Sequence, residues 1–567
     1  MSIAQGALLP PLLSWLLAVN RTVTEPYLDE VFHVRQAQQY CNGNFRVWDP
    51  KITTPPGLYV LSYAVSQAAV LRDKLGFTLE LPLPGCDIFA LRCINAVGLL
   101  LLVAVLAHTY KARNAAAYSF NPMLFQHSAL NMVLFPPIFF FSALYYTDIW
   151  STLFVVLFHI QLVKSTKEGA SAVGRFTKLL ILGLASLGFR QTNIFWVAIF
   201  PAGVVFVQHI DNGHEAVRDS IHRGVEGFGD TLYSVAKTSW KMEVVYDPTV
   251  KEAWLSAYIK ASVSLAACSL KTVSQPKRLC SLLQALAPFL TLIALFAVFI
   301  FWNGSVVLGD KSNHVATLHL PQMLYISPFM AFFSLPLLYP YLLLLPIMIL
   351  AQLPGYGTLD SMRVFKCRLI LPRIWLILIP LAIACITVWA NTIVHPFTLA
   401  DNRHYVFYVF RHLLRPWWLR YAVTPIYLLC AWACMQILGA GPPATRRMTG
   451  TLPDGEHSAT VSFMLIWLAT SALQLITAPL VEPRYFILPW LFWRMHLPVQ
   501  LPPSKDIQEK KARAGSLSWT ALWEDYDHRL WLETAWLLVI NAATGYIFLN
   551  WGFEWPLEPG KVQRFMW

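Results

Sequence analysis

The stretch Tyr27 to Phe45, YLDEVFHVRQAQQYCNGNF, sets Asp29, Glu30 and His33 within a few residues of one another. A carboxylate in such a group can act as general base, taking a proton from an attacking hydroxyl, a step generally worth ~10²–10⁴-fold. On a helix from Leu28 to Tyr40, Asp29, His33, Gln36 and Tyr40 share one face, and Leu28, Val31 and Phe32 lie on another. Asn42-Gly43 predicts the stop, Trp48-Asp49-Pro50 a turn, and the pair Pro55-Pro56 the start of a further helix. The plainer reading of the same residues is a solvated face on an ordinary loop. Metal chemistry fits less well. Glu30-x-x-His33 has the spacing of a dinuclear carboxylate site, but that site needs a second copy of the motif, which the chain lacks. A single divalent ion between Asp29 and Asp148 is the arrangement that oxygen ligands leave open. We therefore expect no cofactor, and among metal arrangements only this single ion stays open.

A base needs partners, and further polar residues occur in short clusters: Asp148, Arg190, Gln191, Asn193, Asp310, Lys311, His314, His319, Asp401, Asn402, Arg403, His404 and Arg484. Arg, Lys or protonated His among them could neutralise a phosphate leaving group. Each also has a structural reading. Asp310 and Lys311 can pair with one another, and His319 can be a hydrogen-bonded structural residue.

The elements that hold these residues belong to a membrane. The 567 residues are 56% hydrophobic and 14% aromatic but only 13% charged. Apolar runs recur, about 11–13 of them by the length needed to cross ~30 Å of hydrocarbon. They are continuous and not alternating, so helices are expected, giving an all-α polytopic membrane protein with no separate soluble domain over 1–567. The net charge of +12 falls largely in alternate short loops, such as those with Lys111 and Arg113, or Lys164 and Arg175. That is a topology signal, which argues against nucleic acid as a partner and places these loops in the cytosol.

On that topology a first helix, Gly6 to Asn20, is retained and leads to a long first lumenal loop, 21–87, with amphipathic interfacial helices. Ile88–Tyr110, Met123–Leu144 and Ile149–Val163 are spans. A polar cytosolic segment, 211–280, includes an amphipathic stretch from Val250 to Leu270, and Pro288 kinks the span that follows it. The sequons at Asn20 and Asn303 lie on the lumenal side. The nine cysteines form no CxxC pair; two of Cys41, Cys86 and Cys93 could form a disulfide, and the sequence does not say which. All the polar clusters named above fall at one set of span ends. A transporter would place ionisable groups near mid-span instead, so the substrate reads as a lipid with a phosphate head and a hydrophilic moiety.

The blocks YLDEVFHVRQAQQYCNGNFRVWDPKITTPPGLY, YYTD, FRQTNIFW, VLGDKSNHVATLHLPQMLY, ADNRHYVFYV, RYFILP and QRFMW resemble the endoplasmic-reticulum α-1,2-glucosyltransferase family that adds the last glucose to the lipid-linked N-glycan precursor. The resemblance implies a C-type glycosyltransferase (GT-C) fold in the endoplasmic reticulum membrane, with its site facing the lumen. It also implies dolichyl-phosphate-glucose as donor and Glc2Man9GlcNAc2 diphosphodolichol as acceptor. A β-linked donor and an α product mean one inverting displacement and one base. By resemblance the base is Asp29, with Glu30 its rival. Lys311, Arg403, His404 and Arg484 are then donor-phosphate ligands, and His33, Asp148, Arg190, Gln191, Asn193, Asp310, His314, Asp401 and Asn402 are sugar or acceptor ligands. A mannosyltransferase of the same fold using dolichyl-phosphate-mannose is the nearest alternative.

Overall fold

The computed structural model describes residues 2–74, 86–113, 118, 121–167, 171–212, 225–250, 253–311, 317–351, 374–439, 459–478, 480–498, 526–555 and 558–567. Almost all of the regular structure is helical; a two-stranded antiparallel ribbon, Phe553–Trp555 with Glu558–Gln563, lies near the C-terminus.

Helix α1 (Ile3–Thr22) shows how the sequence chooses its faces. Ala4, Leu8, Leu12, Leu16 and Val19 recur every third or fourth position and are buried, whereas Leu13 and Leu17 stay exposed. In lipid the exposed side is as apolar as the buried one, so packing and hydrogen bonds set the orientation. Trp15 illustrates this, donating its indole N–H to the Phe140 carbonyl at 3.0 Å.

Six helical segments among the described residues are long and apolar enough to span: Ile3–Thr22, Ile88–Arg113, Gln191–Ile210, Pro276–Asn303, Trp417–Gly439 and Arg529–Asn550. The pair Gln322–Phe333 and Leu335–Leu350, bent by 98°, makes a seventh if counted as one span. The expected 11–13 continuous runs are thus not all continuous helices. Met123–Leu144, read as one span, is two helices, α5 (Pro122–Val133) and α6 (Pro136–Phe141), because Pro136 and Pro137 can open a helix but not continue one. Pro288, by contrast, lies inside the unbroken helix Pro276–Asn303.

Four elements position the polar clusters. Helix α2 (Glu30–Cys41) ends at Asn42, with Gly43 at φ +80°, as the sequence predicts. Its N-terminus comes slightly later than expected, which leaves Asp29 at the N-cap. Helix α3 (Gly57–Lys74) follows the paired prolines; helices α4 (Ile88–Arg113) and α7 (Asp148–Lys167) form the most extensive helix pairing among the described residues. A disulfide joins Cys41 to Cys86, leaving Cys93 free.

Two glycines permit the close approaches between these loops. The Gly57 N–H donates to the Gly188 carbonyl at 2.7 Å, and a Cβ on Gly57 would lie 2.4 Å from that oxygen. Gly309, at φ +59°, lets the loop after Asn303 rest on Pro50 and Ile52, where a Cβ would meet the Pro50 oxygen at 2.4 Å. In the 211–280 segment, Leu255–Val273 is helical. It packs on Leu232–Met242 and the membrane helices while Leu255, Ile259, Leu270 and Val273 stay exposed.

Candidate active site

The adjacent carboxylates at the start of α2 have opposite surroundings. Glu30 is fully buried. It receives Arg92 Nε and Nη2 at 2.8 and 2.6 Å, the Tyr145 N–H at 2.8 Å and the Tyr27 N–H at 3.2 Å. Every lone-pair direction is used, so this carboxylate anchors α2 to α4 and to the YYTD turn and is not free to take a substrate proton. Arg92 completes its set on Asn20 Oδ1 and the Val23 and Glu25 carbonyls. The Asn20 amide, part of the first sequon, is spent here and on the Leu16 carbonyl.

Asp29 is the other case. As N-cap residue it would ordinarily bond a first-turn amide, yet its side chain makes no capping hydrogen bond. It is 52% exposed, with Arg484 Nη1 3.5 Å from Oδ2. The preceding Leu28 is held at φ +51°, left-handed backbone that a branched residue rarely adopts.

Around Asp29 the structure gathers several of the expected residues. Arg484 also lies 3.2 Å from Glu482, and its guanidinium is stacked 5.5 and 5.6 Å from the Phe141 and Tyr146 ring centres. Burial works against the Arg484 charge, but Glu482, Asp148 and Asp29 outweigh it and keep the group well above its ordinary range. Arg484 thus supplies positive charge to both Asp29 and Asp148, the two carboxylates that the sequence offers to a divalent ion. Asp148, buried at the N-terminus of α7, is 3.1 Å from Arg190, which also donates to the Thr147 hydroxyl at 3.2 Å. His33 is buried and bonded through Nδ1 to the Tyr59 hydroxyl at 2.6 Å; burial lowers its pKa to about 4 despite Asp29 nearby. It is neutral near pH 7. No group of three or more His, Cys, Asp or Glu at metal-binding geometry occurs among the described residues.

The remaining residues divide. Gln191 donates to the Thr53 carbonyl at 2.8 Å, and the Asp310 N–H to the Pro50 carbonyl at 2.8 Å, so both meet the segment just after α2. Asn193 is fully buried between Ser151 and the Ser186 carbonyl, an internal brace. His319 is likewise internal, within 3.4 Å of Gln322 and the Ile393 N–H. Lys311 is exposed and directs its ammonium to the Asn303 carbonyl. His314 lies outside the described residues.

Asp401, Arg403 and His404 form a second cluster with the C-terminal residues. Arg403 grips Asp401 through Nε and Nη2 at 2.8 and 2.7 Å, donates to Gln563 at 2.9 Å and stacks 4.7 Å from the Trp555 ring centre. Burial raises the Asp401 pKa, but the Arg403 hydrogen bonds more than reverse this and leave it below the usual range. His404 bonds the Trp567 carbonyl at 3.1 Å, while the Asn402 side-chain oxygen is buried without a partner. Tyr27 connects the clusters. Its hydroxyl donates to the Arg564 carbonyl and accepts from the Arg564 N–H, both at 2.7 Å.

Sequence reasoning missed Arg92, Tyr146, Glu482 and Tyr27. Arg92 carried a signal: a cation early in a long apolar span needs a buried partner. Tyr146 stood inside the block that holds Asp148, and Glu482 two residues before Arg484.

Comparison with known proteins agrees with the earlier resemblance. Residues 23–495 match the DIE2/ALG10 family. A relative from Aspergillus fumigatus is 39% identical, across 98% of this chain and 96% of its own length. One from Emericella nidulans is 37% identical, across 99% and 97%, and one from Homo sapiens 30%, across 97% and 95%. All three carry the name Dol-P-Glc:Glc(2)Man(9)GlcNAc(2)-PP-Dol alpha-1,2-glucosyltransferase. With matches over most of its length, this chain belongs to the DIE2/ALG10 family.

Proposed function

We propose that the protein transfers glucose from dolichyl-phosphate-glucose to the terminal glucose of Glc2Man9GlcNAc2 diphosphodolichol, forming an α-1,2 bond with inversion. The setting is the endoplasmic reticulum membrane, with the Asp29 end in the lumen and one transferase unit spanning 1–567. The full-length similarity to relatives bearing that name supports the substrates. The observation that carries the mechanism is the contrast at the start of α2, where Glu30 is sealed by four hydrogen bonds and Asp29 stands half-exposed beside Arg484.

Asp29 takes the proton from the acceptor 2-hydroxyl as that oxygen attacks the anomeric carbon. The dolichyl phosphate leaves with the electron pair of the broken C–O bond. Arg484 orients Asp29 through its single contact, and Tyr146 and Phe141 hold the guanidinium from its faces. Phosphate binding falls to donors outside bidentate ion pairs, among them Lys311 and His404, whereas Arg403 braces the second cluster. Asp148, Arg190, Gln191 and Asp310 border the space for sugar.

The test is hexose transfer by purified protein in detergent, with each lipid donor and the diglucosylated acceptor, read by mass. The expected result is a gain of one hexose from the glucose donor, reduced ~10²–10⁴-fold in Asp29→Asn. Gain from the mannose donor alone would overturn the substrate. Undiminished transfer by folded Asp29→Asn would overturn the base.

A further inference from the structure

Four arginines show what this chain does with a desolvated guanidinium. Arg92, Arg403, Arg494 and Arg529 each turn the Nε and Nη2 edge onto a carboxylate, at 2.6–2.9 Å, the partners being Glu30, Asp401, Glu533 and Asp527. This fork matches two oxygens of one anion.

Arg175 departs from the pattern. Its Nε and Nη2 are shielded from solvent, as in the others, yet neither has a hydrogen-bond partner. An unpaired buried donor on a charged group is costly, so a bare fork points to a missing anion. Arg175 lies in the first turn of α8 (Ala172–Leu187) and lines a cavity of ≈ 350 Å³ together with Ser165, Val205, Gln208, His209 and Asn212. None of these lining residues is acidic. Ser165 donates its hydroxyl proton to the Leu162 carbonyl at 2.9 Å, leaving its oxygen to face the cavity as an acceptor. Gln208, His209 and Asn212 bring further donors from the end of α9 (Phe200–Ile210) and just beyond it. Lys164 and Lys178 flank the cavity in sequence.

The place is remote from Asp29. Ser165 and Asp148 mark opposite ends of α7, about 25 Å apart at 1.5 Å per residue. The cavity is therefore at the far end of the bundle.

We propose that this cavity binds a phosphate monoester. Arg175 turns its bare edge onto two of the oxygens, and the Gln208 and Asn212 amides with His209 reach the others. A carboxylate would be satisfied by the arginine fork alone; donors arriving from a second helix suit a tetrahedral anion with more oxygens, and the P–OH of its singly protonated form can donate to Ser165. The same chemistry is offered by the headgroup of phosphatidic acid and by free phosphate.

The full-length protein, stripped of lipid in detergent, is titrated with dioctanoyl phosphatidic acid, dioctanoyl phosphatidylcholine and inorganic phosphate, with binding followed by native mass spectrometry and thermal shift. Saturable binding of phosphatidic acid is expected, weakened about tenfold or more in Arg175→Gln and partly restored in Arg175→Lys, in line with the loss of charge-assisted hydrogen bonds. Asn212→Leu, at an exposed position, should weaken it several-fold and serves if Arg175→Gln does not fold. Competition by inorganic phosphate at similar concentration identifies free phosphate as the source, and its failure to compete identifies the lipid. Binding of neither phosphate compound by the wild type, equal binding of phosphatidylcholine, or unchanged binding in the variants would overturn the site. The readout is independent of glucosyl transfer.

Discussion

The Asp29 and Asp401 clusters are both built from carboxylates and guanidinium groups, but they are assembled differently. Arg484 meets Asp29 and Glu482 through single contacts of 3.5 and 3.2 Å, and Asp148 meets Arg190 at 3.1 Å. Arg403 instead closes on Asp401 with two bonds, with Gln563 and Trp555 occupying the rest of its reach. A guanidinium already satisfied on all sides gains little from a phosphate, because one set of charge-assisted bonds must be exchanged for another. In the looser cluster the guanidinium groups hold their carboxylates through single contacts, which is why the proposed base is placed there.

Substitutions can break that contrast. The largest effect is expected at Glu30, which holds the loose cluster in place without belonging to it. Glu30→Gln leaves Arg92 buried without its counter-charge and should cost ~3–5 kcal/mol of stability, seen as a large fall in the thermal midpoint. An unchanged midpoint would mean that Glu30 is not the anchor. Next, Arg484→Gln should lower transfer ~10²–10³-fold, as loss of an electrostatic partner at the reacting centre does, while the midpoint stays near wild type. Arg403→Gln should show the reverse, a lowered midpoint with transfer reduced less than about tenfold. Equal kinetic losses in the two variants would erase the distinction between the clusters.

The last effect concerns pH. Burial holds His33 at about 4, below its ordinary 6.5, in the company of Asp29, Arg484, Asp148 and Arg190. Between those values the unfolded chain binds a proton that the folded chain refuses. The stability contributed is therefore complete above 6.5 and declines as pH falls toward 4. Replacing the ring by His33→Gln should flatten the acid side of the stability curve by up to roughly 3 kcal/mol; parallel curves for the two proteins would refute the assignment.

How much of this was legible in the sequence depends on distance along the chain. The membrane character, the stop at Asn42-Gly43, the new helix after Pro55-Pro56 and the juxtaposition of Asp29 with His33 all follow from local pattern, and the structure has each of them. The separation of Asp29 from Glu30 was not legible. It turns on Arg92, 62 positions away, and on a left-handed Leu28 that no propensity would choose. Likewise the sequence offers Arg403 and His404 as phosphate ligands and Asp401 as a sugar ligand, but not the C-terminal ribbon that brings Gln563 and Trp555 onto Arg403. The break at Pro136 was written in plain residues, yet a window of continuous hydrophobicity hid it, because proline is apolar and ends helices at once.

The Cys41–Cys86 disulfide and the Glu30–Arg92 pair sit at opposite ends of α2, and both lead to α4, whose first residue is Ile88. A short helix bolted at both ends to one long helix can neither slide nor pivot alone. Mechanically, Asp29 is a fixed point on that frame, so in the proposed reaction a long, flexible oligosaccharide is brought to the carboxylate and itself bears most of the entropy of alignment.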